Sequence, residues 1–406
     1  MKAQAPQTLN DACEFIVDCL HATAPTESEG YPLIRTPNVG TGRLDFADVY
    51  RVSEETYQTR TKRAMPEPGD LILAREAPAG NVAIVKEGEK VCLGQRTVHL
   101  RPNRAIVDPD FLCYFLLAPS QQGKLRAGET GATAKHVNMK DIRGLELSDL
   151  PSLSTQQAAG ALLAAYDDLI ENNRRRMVLL EEAARQLYRE WFVRLRFPGH
   201  EHTRITNGVP DGWDQRRLET CITFRSGGTP SKARSESWEG DVPWVSSGEV
   251  TETRLYDTPL HLSQEAVEEG SRLVTAGTIL AVVRGMSLAK EFRLGVTTRD
   301  MAFNQDLKAL ECNPGVDSEF LFHSLLAQRD YIRDLATEAS HGTKKLDTAV
   351  LERVPILLPQ PSLQRTFHES VESCNAQRDN LYQQNQRLKA ARDLLLPRLM
   401  SGQIPV

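Results

Sequence analysis

The chain has 406 residues, with 49 Lys and Arg against 54 Asp and Glu, a formal net charge of −5, 40% hydrophobic residues and 25% charged ones. That length calls for two or more domains of ordinary globular composition. No apolar run approaches the ~20 residues that cross a bilayer, the first ten residues lack a signal-peptide pattern, and seven scattered cysteines without a CxxC pair argue against a disulfide framework or a zinc site. A soluble cytoplasmic protein, without a membrane partner, is therefore expected.

In chain order, Leu71–Ala74, Val82–Val85 and Val91–Leu93 read as buried strands, and Phe111–Leu117 as a helix packed on them. Pro151-Ser-Leu153 marks a boundary that opens a long helix, with Ser154 and Gln157 as a capping box. Its core-type positions run Leu162, Tyr166, Leu169, Asn173, Met177, Leu180, Ala184, Leu187 and Trp191, in the steps of three and four of a packed helical seam. Within it, Glu171 precedes Arg174 and Arg175 at ion-pair spacing. Trp191 and Phe192 suit either core packing or a partner interface.

The second half repeats this grammar at a shift of about 210 residues. Gly30-Tyr-Pro-Leu-Ile-Arg-Thr-Pro-Asn38 is echoed by Gly240-Asp-Val-Pro-Trp-Val-Ser-Ser-Gly248, and Pro68–Arg75 by Ala276–Arg284. Gly94-Gln95-Arg96 is echoed by Asn304-Gln305-Asp306, Asp110–Leu117 by Glu319–Leu326, and Gly131–Lys135 by His341–Lys345. Pro361-Ser-Leu363 then opens a second long helix. Ordered matches at a near-constant offset indicate a duplicated chain, at a period far too long for a solenoid.

In this second helix Phe367, Cys374, Leu381, Leu388 and Leu395 recur every seven residues, beside a mixed position of Val371, Arg378, Asn385, Arg392 and Leu399. A buried Asn sets register at a cost in stability. The arginines are expected to lay their stems along the seam with their heads in water, and Pro397 to end the helix. The fold class that follows is α+β: two similar mixed α/β domains separated by two long helices that pair as an antiparallel coiled coil. The alternative is that both helices are wet flanks packed on the domains. The expected boundaries are a first mixed domain over 1–153, a central helical spacer over 154–197, a second mixed domain over 198–362 and a C-terminal helical spacer over 363–406.

Catalytic signatures are missing from the sequence. It has no GxxxxGK[ST] loop, no Asn/Asp-Pro-Pro-aromatic tetrapeptide of the amino-methyltransferase kind, and no HExxH or clustered His/Cys set. Asp306-Leu-Lys308 resembles the tail of a nuclease metal motif, but its repeat counterpart is Arg96-Thr-Val98 and packing explains it better. Ser226-Gly-Gly-Thr-Pro-Ser-Lys232 lacks nucleotide-loop spacing and reads as a turn, with Lys232 free to meet phosphate. No catalytic or metal-binding residue is assigned.

Taken together, the layout resembles the specificity subunit of type I restriction–modification systems. The resemblance rests on Phe224–Lys232 followed by Val242–Gly248, on Asp168–Arg176 and Leu187–Phe192, and on Leu394–Gly402. It implies a non-catalytic subunit with two target-recognition domains, each reading half of a bipartite, asymmetric site in double-stranded DNA. It also implies helices that act as a ruler and dock two methyltransferase (M) subunits, which bind S-adenosylmethionine and methylate adenine. A restriction (R) subunit would add translocation and cleavage using ATP and Mg. Partner subunits sharing the grip on DNA would reconcile a net negative chain with DNA binding.

Arg pairs bidentately with guanine, Asn or Gln with adenine, and acidic groups with the cytosine amine. Such residues in equivalent loops are the candidates: Arg35, Thr36, Asn38, Arg43, Arg75, Gln95, Arg96, Lys135 and His136 in the first repeat. In the second they are Lys232, Ser246, Ser247, Glu249, Arg284, Asn304, Gln305, Thr343, Lys344 and Lys345. For helix pairing or subunit contact the candidates are Leu162, Tyr166, Leu169, Asn173, Leu180, Leu187, Trp191, Phe367, Cys374, Leu381, Leu388 and Leu395. The rival reading is a helical scaffold without sequence readout; a one-chain nuclease or methyltransferase is weaker, for want of motifs.

Overall fold

The computed structural model describes residues 6–76, 79–127, 129–130, 136–147, 150–339 and 342–405. They form two compact units, Met1–Arg176 with Asn380–Val406, and Met177–Asp379. One long helix, Leu153–Tyr188, runs from the first unit into the second, and another, Pro361–Met400, runs back.

Each unit is built on a five-stranded sheet of the same order. In the first unit the order is Cys13–Asp18, Thr97–Pro102, Leu71–Ala74, Val82–Ile84, Gly42–Arg43; in the second it is Ile222–Ser226, Leu307–Cys312, Ile279–Val282, Leu294–Thr297, Arg254–Leu255. In both, the last strand pairs in parallel and all the others antiparallel. A second, smaller sheet also recurs: Tyr31–Ile34 lies antiparallel to Tyr50–Val52 and parallel to Cys92–Leu93, as Val242–Val245 does with His261–Leu262 and Met301–Phe303. The second unit extends that sheet with Leu273–Val274.

The apolar runs are continuous rather than alternating because the main sheet is covered on both faces. Leu71 and Leu73 enter one core cluster and Ile72 and Ala74 another; Ile279 and Ala281 are likewise divided from Leu280 and Val282. The covering helices, Pro109–Leu117 and Ser318–Ala327, begin alike: Asp108 accepts from Phe111 N, and Asp317 from Phe320 N. Both phenylalanines are fully buried.

The same device ties each domain to the long helix that follows it. Asp108 N donates to Gln156 Oε1 at 3.0 Å and Asp317 N to Gln364 Oε1 at 2.8 Å, while each glutamine amide returns a bond to a proline carbonyl, of Pro151 or Pro359. A second tie is Arg43 on Asp168, through Nε and Nη2 at 3.2 and 2.7 Å. It recurs as Arg254 on Asp379 at 2.8 and 2.7 Å. Arg43 is thus held by a helix, and also donates to the carbonyls of Gly42 and Ala164; its guanidinium serves the scaffold rather than a reading loop.

The two helices pair antiparallel. In the first unit Asp167 meets Arg392, and Asn173 Nδ2 donates to Asn385 Oδ1 at 3.0 Å, while Asn385 Nδ2 reaches Ile170 O at 3.3 Å. In the second unit Glu181 meets Arg378 at 2.8 Å, and Tyr188, Trp191 and Phe192 pack with Phe320 and Phe367. The aromatic pair near the first helix's end is therefore core.

Several details differ from the sequence expectations. Up to Asn173 the buried face of the first helix runs one residue later than expected, through Leu163, Asp167 and Ile170, while Leu162 and Leu169 are exposed and Tyr166 is partly so. Small and polar residues, Ala159, Gly160 and Asp167 among them, share this face with Leu163 and Ile170 and weaken its hydrophobic signal. In the second helix Phe367 and Leu381 are buried, but Cys374, Leu388 and Leu395 are only partly so. The mixed position is the deeper one: Val371, Arg378, Asn385 and Leu399 are all buried. The arginine heads end in ion pairs rather than free in water. Leu180 and Leu187 are half-buried. Ser152, not Ser154, caps the first helix, accepting from Thr155 N. Pro397 lies within the last turn without ending the helix, which continues to Met400; so near the terminus its missing N–H removes a single bond.

Candidate nucleic-acid interface

In each unit the candidate residues gather in loops at the ends of strands of both sheets. In the second unit Arg284–Gly285 pairs with Lys344–Lys345, which pairs in turn with Thr337–Glu338. This short sheet sets Arg284 beside Lys345 in register and brings the two lysines onto the same strand. Arg284 is exposed; Thr343, Lys344 and Lys345 are half-buried, with Lys345 Nζ 3.1 Å from Asp347. The Ser246–Glu249 turn adjoins it, since a Cβ on Gly285 would come within 3.6 Å of Ser247 Oγ. The third member, Asn304–Asp306, is anchored by Asn304 N on Val245 O and holds Val283 and Arg284 through Asp306 O.

Gln305 Oε1 accepts from Thr229 Oγ1 at 2.6 Å, which joins the glycine-rich turn to the group. Gly227 is needed there: a Cβ would stand 2.2 Å from Phe303 O. Gly228 N donates to Phe303 O, and Trp244 Nε1 to Gly228 O. The glycines are thus explained by close packing of a turn, while Lys232 beyond them is exposed. Lys308, in the nuclease-like string, donates to Ser226 Oγ.

The first unit assembles the equivalent loops. Gly94 N donates to Ile34 O, which sets the Gln95–Arg96 turn against Arg35, and Glu76 bridges to His136. Arg96 is exposed, has a left-handed backbone (φ 65°), and pairs through Nε with Glu76 at 3.1 Å. Arg35 stacks 3.7 Å over the Tyr50 ring. Gln95 Nε2 donates to His21 O, and Thr36 and His136 are half-buried. Lys135 lies outside the described residues.

Not every candidate has side-chain atoms to spare. Arg75 is 8% exposed, paired with Asp18 at 2.6 Å and donating to Val137 O. Asn38 is buried, accepting from Arg35 N and donating to Asp45 O. Asn304 is buried and braces the Asp306 turn, and Glu249 accepts from Ser246 N. Like Arg43, these four have internal work that shapes the loops. Their polar letters read alike in a sequence whether the side chain turns inward or outward.

Two residues of the region carried no sequence signal as candidates. Tyr50, about half exposed, supports Arg35. Met286 is 75% exposed one residue past the Arg284 strand. Among the described residues no group of three His, Cys, Asp or Glu is placed to hold a metal, and no helix is long and apolar enough to cross a membrane. As the spacing implied, Arg175 bonds Glu171 at 3.0 Å, and Arg174 lies 3.9 Å from it.

A duplicated mixed α/β unit, each copy followed by a long helix and carrying clustered polar loops, defines a class, and comparison with known proteins supplies its family. Residues 8–182 and 210–389 match the model of the type I restriction modification DNA specificity domain, and the chain belongs to that family. Among its relatives is the type I restriction enzyme MjaIX specificity subunit of Methanocaldococcus jannaschii, 24% identical over 87% of this chain and 82% of that one. The HindI specificity subunit of Haemophilus influenzae is 21% identical, over 85% and 88%. The crystal structure of an S subunit from M. genitalium shares the fold, with a TM-score of 0.56, 16% identity and 98% of each chain covered.

Proposed function

We propose that this chain is the DNA-reading, non-catalytic subunit of a type I restriction–modification complex. In this reading each unit reads one half of a bipartite, asymmetric double-stranded site. The observation that carries it is that one scaffold, repeated in strand order and direction, presents different residues at equivalent loop positions. Arg96 stands where the second unit has Asp306, and the bridged residues Glu76 and His136 stand where it pairs Arg284 with Lys345. Unlike side chains on like frames suit two readers of unlike half-sites, because specificity comes from side chains meeting base edges.

The outward residues Leu162, Leu169, Val178, Leu179 and Leu394, all exposed on the two helices, are proposed to dock two M subunits. Methyl transfer from S-adenosylmethionine would belong to those M subunits, and cleavage driven by ATP with Mg to an R subunit. Mapping methylated adenines across the genome, in cells with and without this gene, tests the reading. Loss of one split asymmetric motif is expected; an unchanged methylome overturns it.

Within the complex, Lys344→Ala is expected to weaken binding to cognate and random duplexes alike, and to reduce the salt-dependence slope by about one. An unchanged slope in a binding titration at several salt concentrations would remove Lys344 from the phosphate contacts. Arg96→Ala is expected to cost ~1–3 kcal/mol on the cognate site and to relax a single base position. Equal losses on cognate and random DNA would reassign it.

A further inference from the structure

The two buried ion pairs of the helix seam are related by the repeat, with their charges exchanged. Arg43 and Asp168 recur 211 residues later as Arg254 and Asp379, making the same tie, so this spacing aligns the two helices in that stretch. The same spacing carries Asp167 onto Arg378 and Glu181 onto Arg392. In the first unit Asp167 of the first helix meets Arg392 of the second; in the second unit Glu181 of the first helix meets Arg378 of the second. At these two positions the first helix carries only acids and the second only arginines.

The four side chains are 4%, 14%, 23% and 8% exposed, in the order Asp167, Arg392, Glu181, Arg378. Arg185 also pairs with Glu181, and Asp393 with Arg392, but setting like charges against each other at that depth is still penalised. A duplicated chain faces a particular hazard: its two helices descend from one sequence, so each is shaped to pair with a copy of itself. In such a like-with-like pair, Asp167 of one copy would face Glu181 of the other, twice. Two copies of the second helix would set Arg378 against Arg392, twice.

We infer that these four residues form a partner-choice code, which directs the first helix to the second and excludes like-with-like pairing with a second copy of this chain. The Asn173–Asn385 contact is uncharged and carries no charge rule of this kind. The inference stands apart from the DNA-reading proposal and is tested without DNA.

The test uses the full chain. In Glu181→Arg/Arg378→Glu both native pairs remain oppositely charged, yet each helix becomes complementary to itself; Asp167→Arg/Arg392→Asp does the same at the other pair. Reversing all four charges restores the code with its sign inverted. Each protein is unfolded and refolded at ~0.1 mM, below the millimolar effective concentration of segments within one chain, and its dimer fraction is read by light scattering after size exclusion.

Native folding of each variant is checked by circular dichroism. Both exchanged doubles are expected to raise the dimer fraction about fivefold or more over wild type, and the fourfold reversal to return it to the wild-type level. If either double folds and stays as monomeric as wild type, the inference is overturned. It is equally overturned if the fourfold reversal dimerises as the doubles do, since that would mark general weakening rather than lost discrimination.

Discussion

Replacing Asp167 with alanine is expected to destabilise the first unit by about 3–5 kcal/mol, the usual cost of removing one partner from a buried ion pair. Two groups depend on this carboxylate: Arg392 pairs with Oδ1, and the buried Tyr114 hydroxyl donates to Oδ2 at 2.7 Å. Tyr114 is 1% exposed and the Asp167 side chain 4%, so water cannot replace what is lost. Arg392 keeps Asp393, which is largely exposed and a weaker partner. Asp167→Asn retains an acceptor for Tyr114 while removing the charge, so a smaller loss of about 1–3 kcal/mol is expected. Denaturant unfolding, with hydrogen exchange of amides in the Pro109–Leu117 helix as a local reporter, measures both. A loss below about 1 kcal/mol for the alanine variant would show that the pair barely repays its own desolvation.

Stability of the second unit is expected to fall by about 2 kcal/mol between pH 7 and pH 5, because of one histidine. His323 is packed among Tyr188, Phe322 and Phe367. Burial, reinforced by the nearby Arg185 and Arg378, pushes its imidazole down to about 3. The unfolded chain takes up the proton near pH 6.5, so protons bind the unfolded state first. The contribution is therefore fully present above pH 6.5 and is lost as pH falls toward 3, at up to about 1.4 kcal/mol per pH unit.

His323→Leu should flatten this window, and should cost little at pH 7 because Nδ1 has no hydrogen-bond partner in the fold. Equal slopes for wild type and variant in thermal unfolding at pH 7, 6 and 5 would rule His323 out as the source. The Asp70 cluster acts elsewhere. Burial raises that carboxyl, but hydrogen bonds from His99 and Arg101 outweigh burial and hold it at about 2. Its contribution is lost only as pH drops below about 3.8.

The strands and their covering helices were legible because their residues obey one physical preference at a time. Leu71–Ala74 and Phe111–Leu117 are apolar at nearly every position, and no fold able to bury them could leave them in water. The duplication was legible because matching strings at a constant spacing need no knowledge of contacts. The seam was harder. Leu162 and Leu169 satisfy the helical period as well as Leu163 and Ile170 do, and periodicity cannot choose between adjacent stripes when the buried one carries Ala159, Gly160 and Asp167. The candidate loops were found as regions, but not sorted within. Arg75 and Arg284 end matching strings, yet the main-chain bonds align Arg75 with Val283 and Glu76 with Arg284, and one arginine is locked to Asp18 while the other is exposed.

From the sequence alone came the count of lobes, their kinship, the two helices and the family they resemble, since these depend on order and spacing along the chain. Only the tertiary structure decided which polar groups turn inward: that Arg43 and Arg254 clamp helices, that Arg378 and Arg392 end in buried ion pairs, and that Asn173 finds Asn385. The physical reason is that a charged side chain tolerates water or a buried counter-charge about equally well. Its place is set by a partner that stands, in the pairs above, more than a hundred residues away.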